Sequence, residues 1–212
     1  QVPYPTGRVE VTLHNGAATY RIVENSAWDH IPFTQEAAQL MAQADAACFG
    51  TLAFRSPDTA HTLRQLLDQM RPQALKVLDV NLRPPYYSAE LLQDLLGRCN
   101  ALKLNDEEAP ILAPLAGAAA DPADVCRGLL ARYGLRLVIL TAGARYSEIY
   151  TPAGVSRLPT PVVKVADTVG AGDSFTGAFI TAFLQGQTLE QAHRQAVQTA
   201  AYVCTRPGAW PE

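Results

Sequence analysis

The positions of apolar residues divide the chain into a short hairpin and a longer series of strands and helices. Val9, Val11 and Leu13 alternate with polar residues, which predicts a half-buried strand. Asn15-Gly16 is a strong signal for a tight turn, and residues 19–24 are expected to form the return strand. The chain is therefore predicted to open with a hairpin that precedes the first strand–helix unit.

Beyond residue 33, short apolar segments typical of buried strands alternate with segments of helical spacing. The expected strands are 46–50, 75–80, 100–104 and 135–141, the expected helices are 34–43, 57–70, 88–98, 105–112, 121–134, 171–184 and 189–204, and a small antiparallel addition is expected at 145–150 and 155–158. This alternation predicts an α/β fold with a mostly parallel, doubly wound sheet that carries helices on both faces.

Composition and charge exclude several classes of protein. The 212 residues are 48% hydrophobic and 17% charged, which is ordinary for a folded domain with a sizeable core. The net charge is −3 and no basic cluster occurs, so binding of nucleic acid through its phosphates is not expected. No apolar segment approaches the length needed to span a membrane.

The cysteines give no sign of a disulfide framework or a metal site. They are Cys48, Cys99, Cys126 and Cys204, and none belongs to a Cys-x-x-Cys pair. We expect reduced, mostly buried thiols in a cytoplasmic protein. The four histidines show no metal-binding spacing either.

The segment 167–179 carries the strongest chemical signal in the chain. Gly170, Ala171 and Gly172 have almost no side chain, so their backbone N–H groups can approach a ligand closely. A helix is expected to begin there, and its unsatisfied N–H groups suit a phosphate or a phosphoryl group. Asp173 would repel phosphate unless it acts as a general base toward an attacking hydroxyl. Alternatively, Asp173 is only a first-turn residue that the helix dipole favours, and the glycines only shape a turn.

Polar residues also follow each predicted parallel strand. In such a sheet, ligands bind at the carboxyl ends of the strands. The residues are Gly50 and Thr51 after the first strand, Asp79, Asn81 and Arg83 after the second, Lys103 and Asn105 after the third, and Thr141 and Gly143 after the fourth. Each group alone is compatible with turn or cap chemistry, but four in succession on one edge predict a shared cleft.

The segment 167–179 resembles the C-terminal signature of the PfkB (ribokinase-like) family of carbohydrate kinases. The matching residues are Asp167, Thr168, Gly170, Ala171, Gly172, Asp173, Gly177 and Ala178. The resemblance implies a ribokinase-like fold, in which residues 1–32 are a partial β lid with its connection and residues 33–212 are one nucleotide-binding and catalytic core. It also implies that the N–H groups from Gly170 to Asp173 stabilise the transferring phosphoryl group and that Asp173 is the catalytic base.

The segment 79–85 resembles the Asp-Pro-Asn-x-Arg-Pro segment of bacterial fructokinases, with Val80 in place of the first Pro. This resemblance implies that Asn81 and Arg83 face the cleft and bind the substrate together with Asp173. Alternatively, Arg83 is a surface residue that precedes a rigid Pro-Pro turn.

Residues 103–108 match the family's Asn-x-x-Glu element, which implies that Asn105 and Glu108 share a helix face and organise Mg²⁺ through water. Alternatively, Asn105 is a helix cap followed by acidic first-turn residues. The resemblance also places Lys103, Asn105, Thr141, Gly143, Gly172 and Cys204 at the nucleotide, and carbonyls near Asp167 and Thr168 at a monovalent cation such as K⁺. Tyr146 departs from the family pattern, since relatives often have a second glycine there.

The resemblance implies ATP-dependent transfer of a phosphoryl group to a sugar hydroxyl, with ATP and Mg²⁺ as cofactors. Fructose, converted to fructose 6-phosphate, is the expected substrate, because segment 79–85 and Ala27-Trp28-Asp29 are both similar to bacterial fructokinases. Ribose, 2-keto-3-deoxygluconate and nucleosides remain alternatives, and so does an inactive, truncated nucleotide-binding remnant. A Rossmann dehydrogenase is not supported, because no Gly-x-Gly-x-x-Gly follows an early strand.

The two ends of the chain are unusual. Residue 1 is Gln rather than Met, and the chain stops at Trp210-Pro211-Glu212 without a closing element. Family members usually carry further strands before the segment that opens this chain, so we expect a fragment that lacks its N-terminal part. Family members often dimerise through the lid hairpin, and a homodimer is therefore one expected assembly.

Overall fold

The computed structural model describes residues 1–14 and 17–211, which form two separate sheets and seven α-helices. The strands are β1 (Val9–His14), β2 (Ala17–Ile22), β3 (Ala46–Gly50), β4 (Leu75–Asp79), β5 (Ala101–Asn105), β6 (Leu137–Thr141), β7 (Tyr146–Thr151) and β8 (Gly154–Pro159). The helices are α1 (Gln35–Gln43), α2 (Pro57–Gln69), α3 (Ala89–Arg98), α4 (Ala109–Ala116), α5 (Pro122–Arg132), α6 (Ala171–Leu184) and α7 (Leu189–Cys204).

The larger sheet has six strands in the order β3-β4-β5-β6-β7-β8. Strands β3 to β6 are parallel, β7 pairs with β6 in antiparallel orientation, and β8 pairs with β7 in the same way. The predicted α/β fold with a mostly parallel sheet is therefore confirmed, together with its small antiparallel addition. The expectation of a buried first strand is wrong, because β3 lies at the edge of the sheet and buries only Phe49.

Helices cover both faces of this sheet, as a doubly wound fold requires. One face packs against α2, α3, α4 and α5, and its buried residues include Leu67, Leu95, Leu112 and Leu129. The other face packs against α6 and α7. Since neighbouring residues of a strand point to opposite faces, both faces of the central strands are apolar. Only the strand ends are left for polar chemistry.

Four of the seven described α-helices begin at a side chain that caps them. The side chains of Thr34, Ser88 and Asp121 each accept a hydrogen bond from a backbone N–H two or three residues later. Thr188 and Gln191 form a reciprocal capping box at the start of α7. These caps satisfy N–H groups that have no partner inside the helix, so they fix the helix starts locally.

The expected helix 105–112 is placed wrongly. Asn105 ends β5, and α4 begins only at Ala109. The Asn105 Oδ1 accepts hydrogen bonds from the backbone N–H groups of Glu107 and Glu108 at 3.0 and 2.8 Å, which closes a turn between strand and helix. Asn suits both a helix cap and a local turn, and here its side chain closes the turn.

The hairpin β1–β2 forms a separate two-stranded antiparallel sheet. Its predicted turn at Asn15-Gly16 lies outside the described residues. At the root of the hairpin, the buried Arg55 donates two hydrogen bonds of 2.7 Å to Asp29 and one of 2.8 Å to the carbonyl of Val23. The Arg55 guanidinium also lies 4.0 Å from the Trp28 ring centroid. This buried arginine therefore joins the hairpin to the core.

Gly170, at the start of α6, contacts the C-terminal segment closely. Its φ of 80° belongs to the left-handed region that favours glycine. A Cβ at this position would lie 2.6 Å from the carbonyl oxygen of Ala209. Any larger residue would thus push residues 208–209 away from the helix start.

The cysteines are free, as expected, but only Cys99 and Cys126 are buried. Burial raises the pKa of both thiols to about 12. The expectation of mostly buried thiols is wrong for Cys48, which is exposed on the edge strand β3, and Cys204 is half-buried. Among the described residues, no helix combines the length and apolarity that crossing a membrane requires.

His193 in α7 is a fully buried histidine held between two serine hydroxyls. Its Nε2 lies 2.8 Å from Ser147 Oγ in β7, and its Nδ1 lies 2.9 Å from Ser156 Oγ in β8. A neutral imidazole has one donor and one acceptor, and two hydroxyls can satisfy both. Burial lowers the pKa of His193 to about 4, so the ring stays neutral at physiological pH.

This histidine should make the stability of the protein depend on pH. The pKa of His193 is about 4 in the folded protein and 6.5 in the unfolded chain. Between these pH values the unfolded chain therefore binds a proton at this histidine and the folded protein does not. Its contribution to the free energy of unfolding is complete above pH 6.5 and falls by about 3 kcal/mol as the pH drops toward 4. Urea unfolding of the wild type at several pH values should show this loss. His193→Gln should lack it, whereas His61→Gln at an exposed histidine should keep it; equal slopes in all three proteins would contradict the assignment.

A second prediction compares two glycines of α6. Gly170→Ala should destabilise the protein by about 1–3 kcal/mol, because the new Cβ meets the Ala209 carbonyl and φ is positive. Gly177→Ala, where a Cβ meets nothing within 4 Å, should stabilise it by about 0.5–1 kcal/mol. Denaturant midpoints of the two variants check this, and a harmless Gly170→Ala would refute the close contact.

Candidate active site

The polar residues predicted at the strand ends do lie side by side. Gly50 is paired with Asp79 across β3 and β4, and Asp79 is paired with Lys103 across β4 and β5. Asn105 is paired with Thr141 across β5 and β6. The carboxyl ends of four parallel strands therefore form one continuous edge, hereafter the polar edge. In open α/β sheets this edge is where ligands bind.

A buried ion pair lies at the centre of the polar edge. Lys103 Nζ is 3.1 Å from Asp79 Oδ1 and 3.0 Å from Oδ2, and both side chains are about one-tenth exposed. Burial raises the pKa of Asp79 above its usual value; Lys103 opposes that shift, whereas the charges of Glu108 and Asp173 add to it. Three carboxylates and one ammonium thus influence one another here.

Glu108 ties two strand ends together. Its Oε1 accepts a hydrogen bond of 2.8 Å from the N–H of Leu82, and its Oε2 accepts one of 2.9 Å from the N–H of Asn105. The side chain is buried. The predicted pair Asn105 and Glu108 is therefore in contact, but through a turn and not on a shared helix face. A carboxylate has about four acceptor positions, so each oxygen keeps one for a further donor.

The small-residue turn opens α6 as predicted, with Gly170 as the N-cap and Ala171 as the first helical residue. Gly172 follows, and a Cβ built on it would lie 3.2 Å from Lys103 Nζ. The helix start and the buried ion pair are therefore adjacent. Asp173 is exposed in the first turn of α6, close enough to influence the pKa of Asp79.

A cavity of about 470 Å³ lies beside the start of α6. Four of the six residues predicted at the nucleotide line it, namely Thr141, Gly143, Gly172 and Cys204. Lys103 and Asn105 are not part of its lining. A Cβ on Gly172 would lie 3.2 Å from Lys103 Nζ, and Asn105 is the last residue of β5. The cavity walls are mostly apolar, as pockets for planar heterocycles commonly are.

Several residues that line this cavity escaped the sequence analysis. They come from the segment before α6 and from the helices themselves, namely Val162, Val163, Val165, Phe175 and Val197. Valines in a segment without secondary structure give no periodic signal. The cavity also includes Tyr146, which stands where relatives often have glycine.

The predicted substrate residues Asn81 and Arg83 are both exposed just beyond β4. Asn81 has a φ of 37°, and it lines a second, smaller cavity of about 240 Å³ together with Trp28, Gly50 and Thr51. The Arg83 guanidinium bonds only to the adjacent Leu82 carbonyl within the described residues. Its other N–H groups are thus available to an anion or a sugar oxygen.

Asp167, predicted near a monovalent cation, uses its carboxylate within the protein. Oδ1 accepts a hydrogen bond from the N–H of Val169 at 3.0 Å, and Oδ2 accepts one from the N–H of Gly208 at 3.2 Å. These backbone donors hold the pKa of Asp167 below its usual value. The side chain therefore fastens the loop before α6 to the C-terminal segment, while the carbonyl of Thr168 accepts a bond from Ala171.

Known proteins resemble this chain over much of its length. The family model "pfkB family carbohydrate kinase" matches residues 6–211. A fructokinase from Rhizobium leguminosarum bv. trifolii is 27% identical over 184 residues, which is 84% of this chain and 55% of the relative. A ribokinase from Schizosaccharomyces pombe is 33% identical over 129 residues, or 59% of this chain and 41% of that protein. The chain thus spans about half the length of these curated relatives.

Solved structures share the fold. The fructokinase of Xylella fastidiosa with bound ATP superimposes with a TM-score of 0.82 at 22% identity, covering 99% of this chain and 70% of that one. An E. coli protein designated ribokinase II, in complex with ATP and Mg²⁺, gives 0.81 at 20% identity, covering 98% and 67%. With the family model matching nearly its whole length, the chain belongs to the PfkB family of carbohydrate kinases.

Proposed function

We propose that this chain carries the nucleotide site and catalytic base of an ATP-dependent sugar kinase. The observation that carries the proposal is the position of Gly172, which lines the apolar cavity and lies so near the ammonium of Lys103 that a Cβ there would be 3.2 Å from Nζ. A nucleotide base in the cavity would direct its phosphates toward the start of α6. There the helix N–H groups and Lys103 favour negative charge.

In this proposal the cavity takes the adenine and ribose of ATP. Thr141 and Gly143 follow β6, and Cys204 ends α7, so the cavity is built from three separate elements. The relatives with bound ATP support a nucleotide as ligand. Lys103 and Asn105, which lie at the polar edge beyond the cavity lining, are assigned to the phosphates.

The polar edge fits Mg²⁺ held through water. Asp79, Glu108 and Asp173 place three carboxylates around one ammonium, so the local charge is negative and suits a divalent cation. Among the described side chains, no three His, Cys, Asp or Glu residues are grouped as direct ligands. Glu108 and Asn105 would therefore hold hydrated Mg²⁺, which commonly keeps several waters. When bound, Mg²⁺ offsets phosphate charge; a K⁺ site near Asp167 and Thr168 stays a prediction.

Asp173 would act as the general base. Its exposed carboxylate in the first turn of α6 can accept the proton of a sugar hydroxyl as that oxygen attacks phosphorus. The N–H groups of residues 170–173 would stabilise the charge on the transferring phosphoryl group. Catalysis would come from alignment and electrostatics rather than from a covalent intermediate.

Asp173→Asn should abolish nearly all turnover and leave ATP affinity unchanged, because an amide keeps the shape but cannot take a proton. A loss of at least about 100-fold in kcat is expected for removal of a general base. Coupled ADP-release kinetics and calorimetric ATP binding measure the two quantities. Asp106→Asn, at a neighbouring acidic position that pairs with Arg145, is the control and should keep its kcat. Equal rates for Asp173→Asn and wild type would rule out the base assignment.

We assign fructose as the substrate, phosphorylated to fructose 6-phosphate. The support is the sequence of segment 79–85, the placement of Asn81 and Trp28 around the smaller cavity, and the similarity to fructokinases. Relatives named as ribokinase and nucleoside kinase are comparably similar, so ribose and nucleosides are the competing substrates. An assay over fructose, ribose, 2-keto-3-deoxygluconate and adenosine decides, and a higher kcat/KM for any of the last three overturns the fructose assignment.

The hairpin β1–β2 would cover the sugar and join two copies of the chain. Val9, Val11 and Tyr20 are each more than half exposed on this small sheet, which supports a homodimer through it. Sedimentation of the wild type should then show a dimer, and a monomer at micromolar concentration would count against it. The division of the chain into residues 1–32 and 33–212 also stays a prediction.

A further inference from the structure

The buried carboxylate of Asp79 lies at the centre of the polar edge, and apart from its negative charge it has no assigned part in the reaction. It is the last residue of β4, and both of its carboxylate oxygens accept a hydrogen bond from Lys103 Nζ. Burying a carboxylate and an ammonium costs hydration free energy that a mutual ion pair only partly recovers. A buried pair at a ligand-binding edge therefore calls for a reason beyond stability.

The geometry around the Lys103 ammonium supplies such a reason. A lysine ammonium has three N–H groups, and within the described part of the chain its hydrogen bonds go to the two oxygens of Asp79 only. One N–H is thereby left for an oxygen outside the protein. On the side of α6 the ammonium lies against Gly172. A Cβ added to this glycine would be 3.2 Å from Lys103 Nζ. Gly172 in turn lines the nucleotide cavity.

Lysine is a flexible side chain, and its ammonium would occupy many positions if nothing held it. Asp79 restricts the ammonium, because both of its oxygens bind it from the neighbouring strand. Asp79 in β4 and Lys103 in β5 are directly paired. Burial and the charges of Glu108 and Asp173 raise the pKa of Asp79. The charge of Lys103 opposes that rise. The two residues therefore form one unit.

The geometry points to Asp79 as a positioning residue that acts through Lys103: it holds the ammonium against Gly172, where the phosphate oxygens beyond the α-phosphate of ATP arrive. This inference rests on the proposed function. It differs from a structural role, since a purely structural pair would affect folding and all ligands alike. A positioning role affects only ligands that carry the phosphates which meet the ammonium.

A double-mutant cycle tests this. Calorimetry with Mg²⁺ present measures the affinities of ATP and of AMP for the wild type, Asp79→Asn, Lys103→Met and the double variant. We expect each single variant to bind ATP about tenfold more weakly and AMP unchanged, as loss of a charge-assisted hydrogen bond predicts. The double variant should be no weaker than Lys103→Met alone, because Asp79 acts only through Lys103.

The matched control is Lys76→Met, the same substitution at the other end of β4, which should bind ATP as the wild type does. The double variant also guards against misfolding, because it leaves no unpaired buried charge. Unchanged ATP affinity in Asp79→Asn, an additive effect in the double variant, or equal losses for ATP and AMP would each overturn the inference. A wild type that binds neither nucleotide would overturn the proposed function itself, which is a separate result.

Discussion

The ion pair between Asp79 and Lys103 is the interaction on which the polar edge depends. Asp79 is buried at the end of β4 and Lys103 is buried beside it in β5, and each is tolerable there only because the other is present. Removing one partner of such a pair costs about 3–5 kcal/mol, whereas replacing both by apolar groups is often neutral. The pair is therefore a poor choice for stability alone. Its position against Gly172 connects it with the start of α6 and with the cavity of about 470 Å³ beside that helix.

The doubly wound sheet explains why polar chemistry is concentrated at this edge. Two apolar clusters fill the space between the sheet and its helices on either face, so the central strands have no free face for a ligand. Their carboxyl ends remain accessible. Asp167 and Gly170 then fasten the start of α6 to the C-terminal segment, through a hydrogen bond to Gly208 and a close contact with Ala209. The helix start is thereby held beside the strand ends.

Local signals in the sequence predicted many element boundaries correctly, and the failures have physical causes. The helix start at Thr34 and the small-residue turn at Gly170 depend on contacts within a few residues, so the sequence alone reveals them. The helix expected from Asn105 failed because the same residue type also closes a turn, and only the Glu108 bonds to two strand ends favour the turn. The first strand looked buried by composition but lies at an edge.

The sequence by itself determined the order of strands and helices, the family, and the carboxylate that follows a turn of small residues, because periodicity, caps and short motifs act over a few positions. Tertiary structure alone decided that Lys103 meets Asp79, that Arg55 anchors the hairpin, and that valines of the segment 162–165 line the cavity beside the start of α6. These contacts join residues distant along the chain. They arise only when strand order and helix packing bring those residues together, and no local pattern records that.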